Sequence, residues 1–443
     1  MKNAKLLTSG SPWKLLLEFS VPILIGQVFQ LLYSLFDTKI VGAVLGEVPL
    51  SAVGSISSLY NMMTSFANGL TMGFSILLAF HFGAKNNDRV KKIFASAISL
   101  STIITVIVTA GIMLFLNSIM TFLNIPADQL QMARDYIQVL ILGFLITVAY
   151  NLCANSLRAI GDSITPLIYL IIASLGNVIM DILFVKYLGW GVAGAAYATV
   201  LAQLVSVILC IIHIKRKFPL LHVKRESFAP EKDMTVEMLK NGLSMGLMSS
   251  LVGLGTLTLQ SAINSLGTQI IVAHTAARKV CEIMMLPGMV VSYAMTTFAS
   301  QNNGAGRIDR VKSGLKSAML MGVIWCIIVI ILMFGFAPEF VSFLTSSTDE
   351  TILYWGSLYL KFDLSLNIIC YAINVLRNML QGLGYRITPV ISSSIELIGK
   401  IIFAFALVPV MGYWGVILTE PIVWIAMVIP LIVKTITALR DPA

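Results

Sequence analysis

The stretch FGAKNNDRVKK at 82–92 returns as NGAGRIDRVKS at 303–313, 221 positions further along the chain. Each copy ends one long apolar run and opens another, and each places Asp, Arg, Val and Lys in the same register. Further on, RAIGDSITP at 158–166 is answered by QGLGYRITP at 381–389, an offset of 223, and LGWGVAG from Leu188 by MGYWGV from Met411. Glycine, aspartate and basic residues are common in short loops, so any one match is what chance supplies. Three in order at a near-constant offset mark an internal duplication.

Between these motifs the chain is apolar. Of 443 residues, 57% are hydrophobic and only 12% are charged, and the mean hydropathy is +0.89; a soluble chain of this size carries roughly 25% charged residues. Twelve apolar runs near helical-span length, the first at 15–44 and the last at 413–439, are continuous rather than alternating, which predicts membrane helices and not barrel strands. The fold class expected is an all-α membrane protein of twelve transmembrane helices in two pseudo-symmetric six-helix bundles. The long polar stretch KRKFPLLHVKRESFAPEKDMT lies at the midpoint. It divides the chain into an N-lobe at 1–214 (helices 1 to 6), a cytoplasmic linker at 215–238 and a C-lobe at 239–443 (helices 7 to 12), with a cavity between the lobes.

The formal net charge of +9 reports topology here. Lys2, Lys5, Lys14, Lys85, Arg89, the linker basics, Arg307, Arg310, Arg377, Arg386 and Lys434 fall on one side, and little beyond Arg134 and Lys186 on the other. Both termini and the linker are therefore expected in the cytoplasm. Nucleic acid is not expected as a partner. The basic N-terminus precedes an apolar run too long for a cleaved signal, so that run is read as a retained first helix. Cys153, Cys210, Cys281, Cys326 and Cys370 lie in or beside apolar runs without paired spacing, which predicts neither a disulfide framework nor a metal site.

Inside the run SLGNVIMDILF at 174–184, Asn177 and Asp181 are four residues apart and share one helix face. Asp37 lies in the apolar run at 21–44. A carboxylate near a bilayer centre costs about 2.5 to 3.5 kcal/mol on insertion scales and is usually kept for a proton, an ion or a substrate. The three residues are expected to form one buried cation site. Carrying them across the repeat lands on Thr258, Lys400 and Ala404, so the acid pair occurs in the N-lobe alone. Lys39, two residues from Asp37, points roughly to the opposite face. The competing view is a satisfied structural polar cluster. Two such carboxylates suit proton uptake, and their oxygens equally suit Na+, a hard cation.

The C-lobe offers weaker candidates. His274, Arg278 and Glu282 recur every four residues, which fits either an Arg–Glu pair within the helix or a stripe with Glu282 facing cationic substrates. Glu396 and Lys400 are one turn apart; Lys400 is expected to neutralise Glu396 or to reach Asp363, itself a candidate for substrate or proton contact. Glu420 has no assigned role. Methionine pairs such as Met284 and Met285, and aromatics including Tyr33, suit either ordinary packing or a soft lining for apolar cations.

Twelve helices in two repeats, with the loops GAKNNDRVKK and QNNGAGRIDRVK and the turns LRAIGDSITP and LQGLGYRITP, resemble the multidrug and toxin extrusion (MATE) family, within the multidrug/oligosaccharidyl-lipid/polysaccharide exporter superfamily. The likeness runs from Pro12 to about Ile436. It implies a V-shaped exporter of organic, often cationic drugs in a prokaryotic plasma membrane, a monomer surrounded by membrane lipids and driven by H+ or Na+ while its lobes rock. It implies no cofactor beyond that ion. The cation site of prokaryotic members is matched by Asp37, Asn177, Asp181 and Thr199, with Asn155 close by, and a bend in the first helix by Pro22. The seventh helix, SLVGLGTLTLQSAINSLG, departs from relatives that carry acids there.

The alternative from the same superfamily is a flippase of lipid-linked saccharide or another amphipathic lipid, for which a strongly basic cavity is expected, whereas intramembrane arginine looks nearly confined to Arg278. An intramembrane enzyme is not expected, because His81, His213, His222 and His274 lack paired spacing. A passive channel fits poorly with carboxylates confined to one lobe.

Overall fold

A computed structural model describes residues 5–123, 125–229 and 231–440; Lys2, counted above among the basic residues, lies outside them. The described residues are almost wholly helical, without a strand. In the first repeat the helices are α1 (Pro12–Leu45), α2 (Glu47–Gly83), α3 (Asn87–Phe122), α4 (Leu130–Leu142), α5 (Phe144–Ala159), α6 (Ile164–Asp181) and α7 (Gly191–Lys217). In the second they are α8 (Lys232–Asn264), α9 (Thr268–Gly304), α10 (Ile308–Thr345), α11 (Glu350–Ser365), α12 (Asn367–Gly382), α13 (Ile387–Ile402), the short α14 (Val408–Met411) and α15 (Tyr413–Arg440). Ten spans are long and apolar enough to cross a membrane, and the pairs α4–α5 and α11–α12, bent by 45° and 48°, bring the number to twelve if each pair is one span.

The duplicated motifs are loops with a structural task. Asn86 caps α3 by accepting from the Arg89 N–H at 3.1 Å, and Lys85 before it takes φ 58°, the position that Gly306 fills with φ 68° in the second copy. In RAIGDSITP, Gly161 turns at φ 87°, as Gly384 does at φ 90°. The Asp162 carboxylate then accepts from the N–H groups of Ile164 and Thr165 at 3.1 and 3.0 Å, satisfying the first turn of α6. Both repeats also break their penultimate long helix into a π segment, Ile182–Tyr187 after α6 and Phe403–Leu407 after α13.

Contacts divide the chain into two compact units. The first runs up to Leu6 and over Val21–Gly246; the second holds Leu7–Ser20 and everything from Leu247. The linker at 215–238 therefore belongs to the first unit, as does α8 as far as Gly246, and α1 passes from one unit to the other beside Pro22, which lies inside the helix. The first unit has two apolar cores, one around Ile56, Met63 and Phe144 and another around Phe74, Phe94 and Leu157. The core of the second gathers on Val341, Tyr359 and Leu360. Large apolar side chains also face outward, Leu114 at 80% and Phe343 at 82% exposure among them. Such surface is stable in lipid and not in water.

Candidate functional site: two buried polar clusters

In the first unit α6 brings Asn177 and Asp181 to one buried face, 2% and 0% exposed. Asn177, with its amide set by its neighbours, donates to Asp181 Oδ2 at 3.3 Å and accepts from the Thr199 backbone N–H on α7 at 3.2 Å. Asp181 ends the regular helix, since the π segment starts at the next residue; such bulges recur at functional sites because they re-aim side chains. Across from it, the half-buried Asp37 of α1 lies within hydrogen-bonding reach of Asp181. One oxygen of each acid, Asp37 Oδ1 and Asp181 Oδ1, is buried without a hydrogen-bond partner. None of the ion pairs among the described residues involves either acid. Tyr33 lies one turn before Asp37 on the same helix.

The structure thus gathers Asp37, Asn177, Asp181 and Thr199, the last through its backbone. Asn155 stands apart: its amide donates to Thr71 Oγ1 at 3.0 Å and to Asn68 Oδ1 at 3.3 Å, and its oxygen accepts from Arg158. Among the described residues no three His, Cys, Asp or Glu side chains gather as a metal cluster. What the acid pair offers is hard oxygen, suited to a proton or to Na+ rather than to a soft metal.

The second unit holds a buried ion chain that the sequence spacing only partly indicated. Lys400 Nζ lies 3.0 Å from Glu396 Oε1 and 3.1 Å from Glu420 Oε1; Arg278 Nη1 is 3.8 Å from Glu420, and Arg377 Nη2 is 3.7 Å from Glu396. The order is Arg278, Glu420, Lys400, Glu396, Arg377, contributed by α9, α15, α13 and α12. Asp363 on α11 is fully buried, accepts from the Cys281 thiol at 3.5 Å and leaves Oδ1 unpartnered. Counting Asp363, three acids face three bases.

Several expectations are corrected here. Arg278 pairs with Glu420 and not with Glu282, which is half exposed and meets Lys279 at 2.8 Å. His274, at the head of that stripe, is 3% exposed and hydrogen-bonds the Tyr413 hydroxyl through Nδ1 at 3.0 Å. Arg377, placed above with the cytoplasmic basics, is 6% exposed on α12. Intramembrane arginine is therefore not confined to Arg278. Lys400 joins Glu396 as expected, yet reaches Glu420 rather than Asp363. Met285 packs partly buried on the core of the second unit. The role of Glu420 was invisible because its partners lie 142 and 20 residues away in sequence.

A duplicated, polytopic helical membrane protein with polar clusters buried in each repeat is the class these features define. The family model described as MatE matches residues 22–183 and again 245–406, so the chain belongs to the MatE family of transporters. It is 25% identical over 417 residues, 91% of this chain and 90% of the other, to a Bacillus subtilis protein described as the probable multidrug resistance protein YoeA. It is 23% identical over 374 residues, 84% and 82% of the two chains, to the multidrug export protein MepA of Staphylococcus aureus. Its fold matches a multidrug resistance MATE family transporter of the MOP superfamily in an outward-facing conformation, with TM-score 0.91, 24% identity and 100% and 99% coverage. A MOP superfamily transporter from Pyrococcus furiosus matches at TM-score 0.91, 23% identity and the same coverage.

Proposed function

We propose that this chain is a secondary active exporter of amphipathic or cationic drugs, driven by H+ or Na+ taken up at Asp37 and Asp181. The observation that carries this reading is the facing acid pair, each member with a buried unpartnered oxygen and no basic partner. Two carboxylates in a low-dielectric surround repel, and an exchangeable cation between them relieves that repulsion. Loading then draws the α1 segment bearing Asp37 toward α6, and unloading releases it. The ion thereby acts as a ligand with different affinities for two conformations, which is what coupling requires.

Pro22 removes a backbone donor from α1 and gives the helix a place to bend. Rocking of the two lobes would turn that bend into alternating access. The excess of basic loops on one side supports cytoplasmic termini in a prokaryotic plasma membrane. The names of YoeA and MepA support drugs as the cargo. A lipid-saccharide flippase is less favoured, since the buried bases of the second unit are matched by acids and offer no surplus positive charge for a diphosphate.

The test is accumulation of ethidium in cells expressing the protein, beside a lipid-flipping assay on vesicles. Lower ethidium in expressing cells supports drug export. Unchanged ethidium together with protein-dependent lipid flipping overturns it.

A further inference from the structure

Apart from both polar clusters, the first unit contains a cavity of about 570 Å3 among α3, α5, α7 and the linker. Its walls are apolar, with Phe94 and Ile98 from α3, Val148 and Leu152 from α5, and Ile211 and Ile214 from α7. At one end stand Lys215 and His222, and among the described residues no acid lines it. His222 Nε2 hydrogen-bonds the Lys215 carbonyl at 2.7 Å, which fixes the linker over the end of α7. The same end carries Arg216 and Lys217 in the last turn of α7, and Lys224 and Arg225 in the linker.

Two further features define an occupant. Ser101 lines the wall, is 3% exposed, and its hydroxyl has no hydrogen-bond partner. The α7 contribution reaches only from Ile211 to Lys215, and at about 1.5 Å per residue this keeps the cavity beside the basic helix end, within one leaflet of a hydrocarbon core about 30 Å thick. An organic cation would meet lysine and no carboxylate there. An apolar chain with an anionic head at the interface matches both the walls and the charge.

We propose that this cavity is a binding site for one anionic phospholipid: an acyl chain lies between α3, α5 and α7, the phosphate faces Lys215 and His222, and the Ser101 hydroxyl donates to a lipid ester oxygen. The site lies on the basic side of the protein, where anionic lipids attract juxtamembrane lysine and arginine. It is independent of the transport reading and stands or falls separately.

Native mass spectrometry of the full chain in detergent, titrated with phosphatidylglycerol or with phosphatidylcholine of the same acyl chains, tests the site. The wild type is expected to retain one phosphatidylglycerol at concentrations where phosphatidylcholine is lost. Ala149→Phe, which fills the cavity, should abolish that adduct, and Lys215→Gln should reduce the preference for phosphatidylglycerol about five-fold, the loss of one lysine near an anionic head. Lys215 is exposed, so its variant decides the matter even if Ala149→Phe fails to fold. Equal retention of both lipids by wild type, an undiminished adduct in folded Ala149→Phe, an unchanged preference in Lys215→Gln, or displacement of the lipid by ethidium would each overturn the proposal.

Discussion

Lys400 Nζ lies 3.1 Å from Glu420 Oε1, and Lys400 occupies, one repeat later, the position of Asn177, whose amide oxygen accepts from the Thr199 backbone N–H at 3.2 Å. The duplication keeps a buried polar side chain at this position and exchanges its chemistry. In the second unit a tethered ammonium sits between carboxylates. In the first, the carboxylates have no tethered cation.

Lys400→Met therefore leaves Glu396 and Glu420 buried with Arg377 and Arg278 as their remaining bases, and removal of one partner from a buried pair costs about 3 to 5 kcal/mol. Asn177→Ala removes one hydrogen bond to the Asp181 carboxylate and one from the Thr199 backbone N–H, leaves no buried charge stranded opposite a lost counter-ion, and should cost less, about 1.5 to 3 kcal/mol. Denaturant or thermal unfolding in detergent measures both; a Lys400→Met protein as stable as wild type would contradict the ion chain.

Asp181→Asn and Asp37→Asn should each abolish drug resistance without lowering expression. Stability separates this from a purely structural cluster. Taking one charge from a repelling pair should leave the melting temperature unchanged or raised, whereas a structural hydrogen-bonded carboxylate would melt lower on replacement.

Gly161→Ala and Gly384→Ala test the duplicated turn. Both force a side chain into the left-handed region at φ 87° and 90°, a cost of about 1 to 2 kcal/mol. At Gly161 the new Cβ would also lie 2.0 Å from the Lys5 carbonyl oxygen, while at Gly384 nothing stands within 4 Å. Gly161→Ala should therefore melt distinctly lower than Gly384→Ala.

At the start of α11 the Asp349 carboxylate accepts from Ile352, Gln269 and Thr351, and these bonds hold it below its ordinary value of 3.8. A depressed carboxylate stabilises the fold above its unfolded value and loses that contribution as the pH falls through the folded one. The melting-temperature difference between wild type and Asp349→Ala should be full at pH 6 and shrink below about pH 4. A difference unchanged down to pH 3 would contradict the cap.

Much of this was legible in the sequence because it rests on local signals. The apolar runs gave the spans, the loop motifs gave the duplication, and four-residue spacing put Asn177 beside Asp181. The bends escaped detection: α4 and α5 part at Gly143, where a Cβ would strike Val200 Cγ2 at 2.4 Å, and α11 and α12 part at Leu366, with no proline at either break. The second polar cluster was misread for a related reason. Spacing on one helix favours Arg278 with Glu282, but Glu282 meets Lys279 while Arg278 meets Glu420 on α15. Register between helices is a tertiary property that no single helix records.

The most direct measurement is ethidium efflux from proteoliposomes of wild type and Asp181→Asn, under an imposed H+ gradient and separately a Na+ gradient. Efflux by the wild type under one of the two gradients, lost in Asp181→Asn, is the predicted result and names the ion. Efflux undiminished in a folded Asp181→Asn protein, or no gradient-driven efflux by folded wild type, would contradict coupled export through the acid pair.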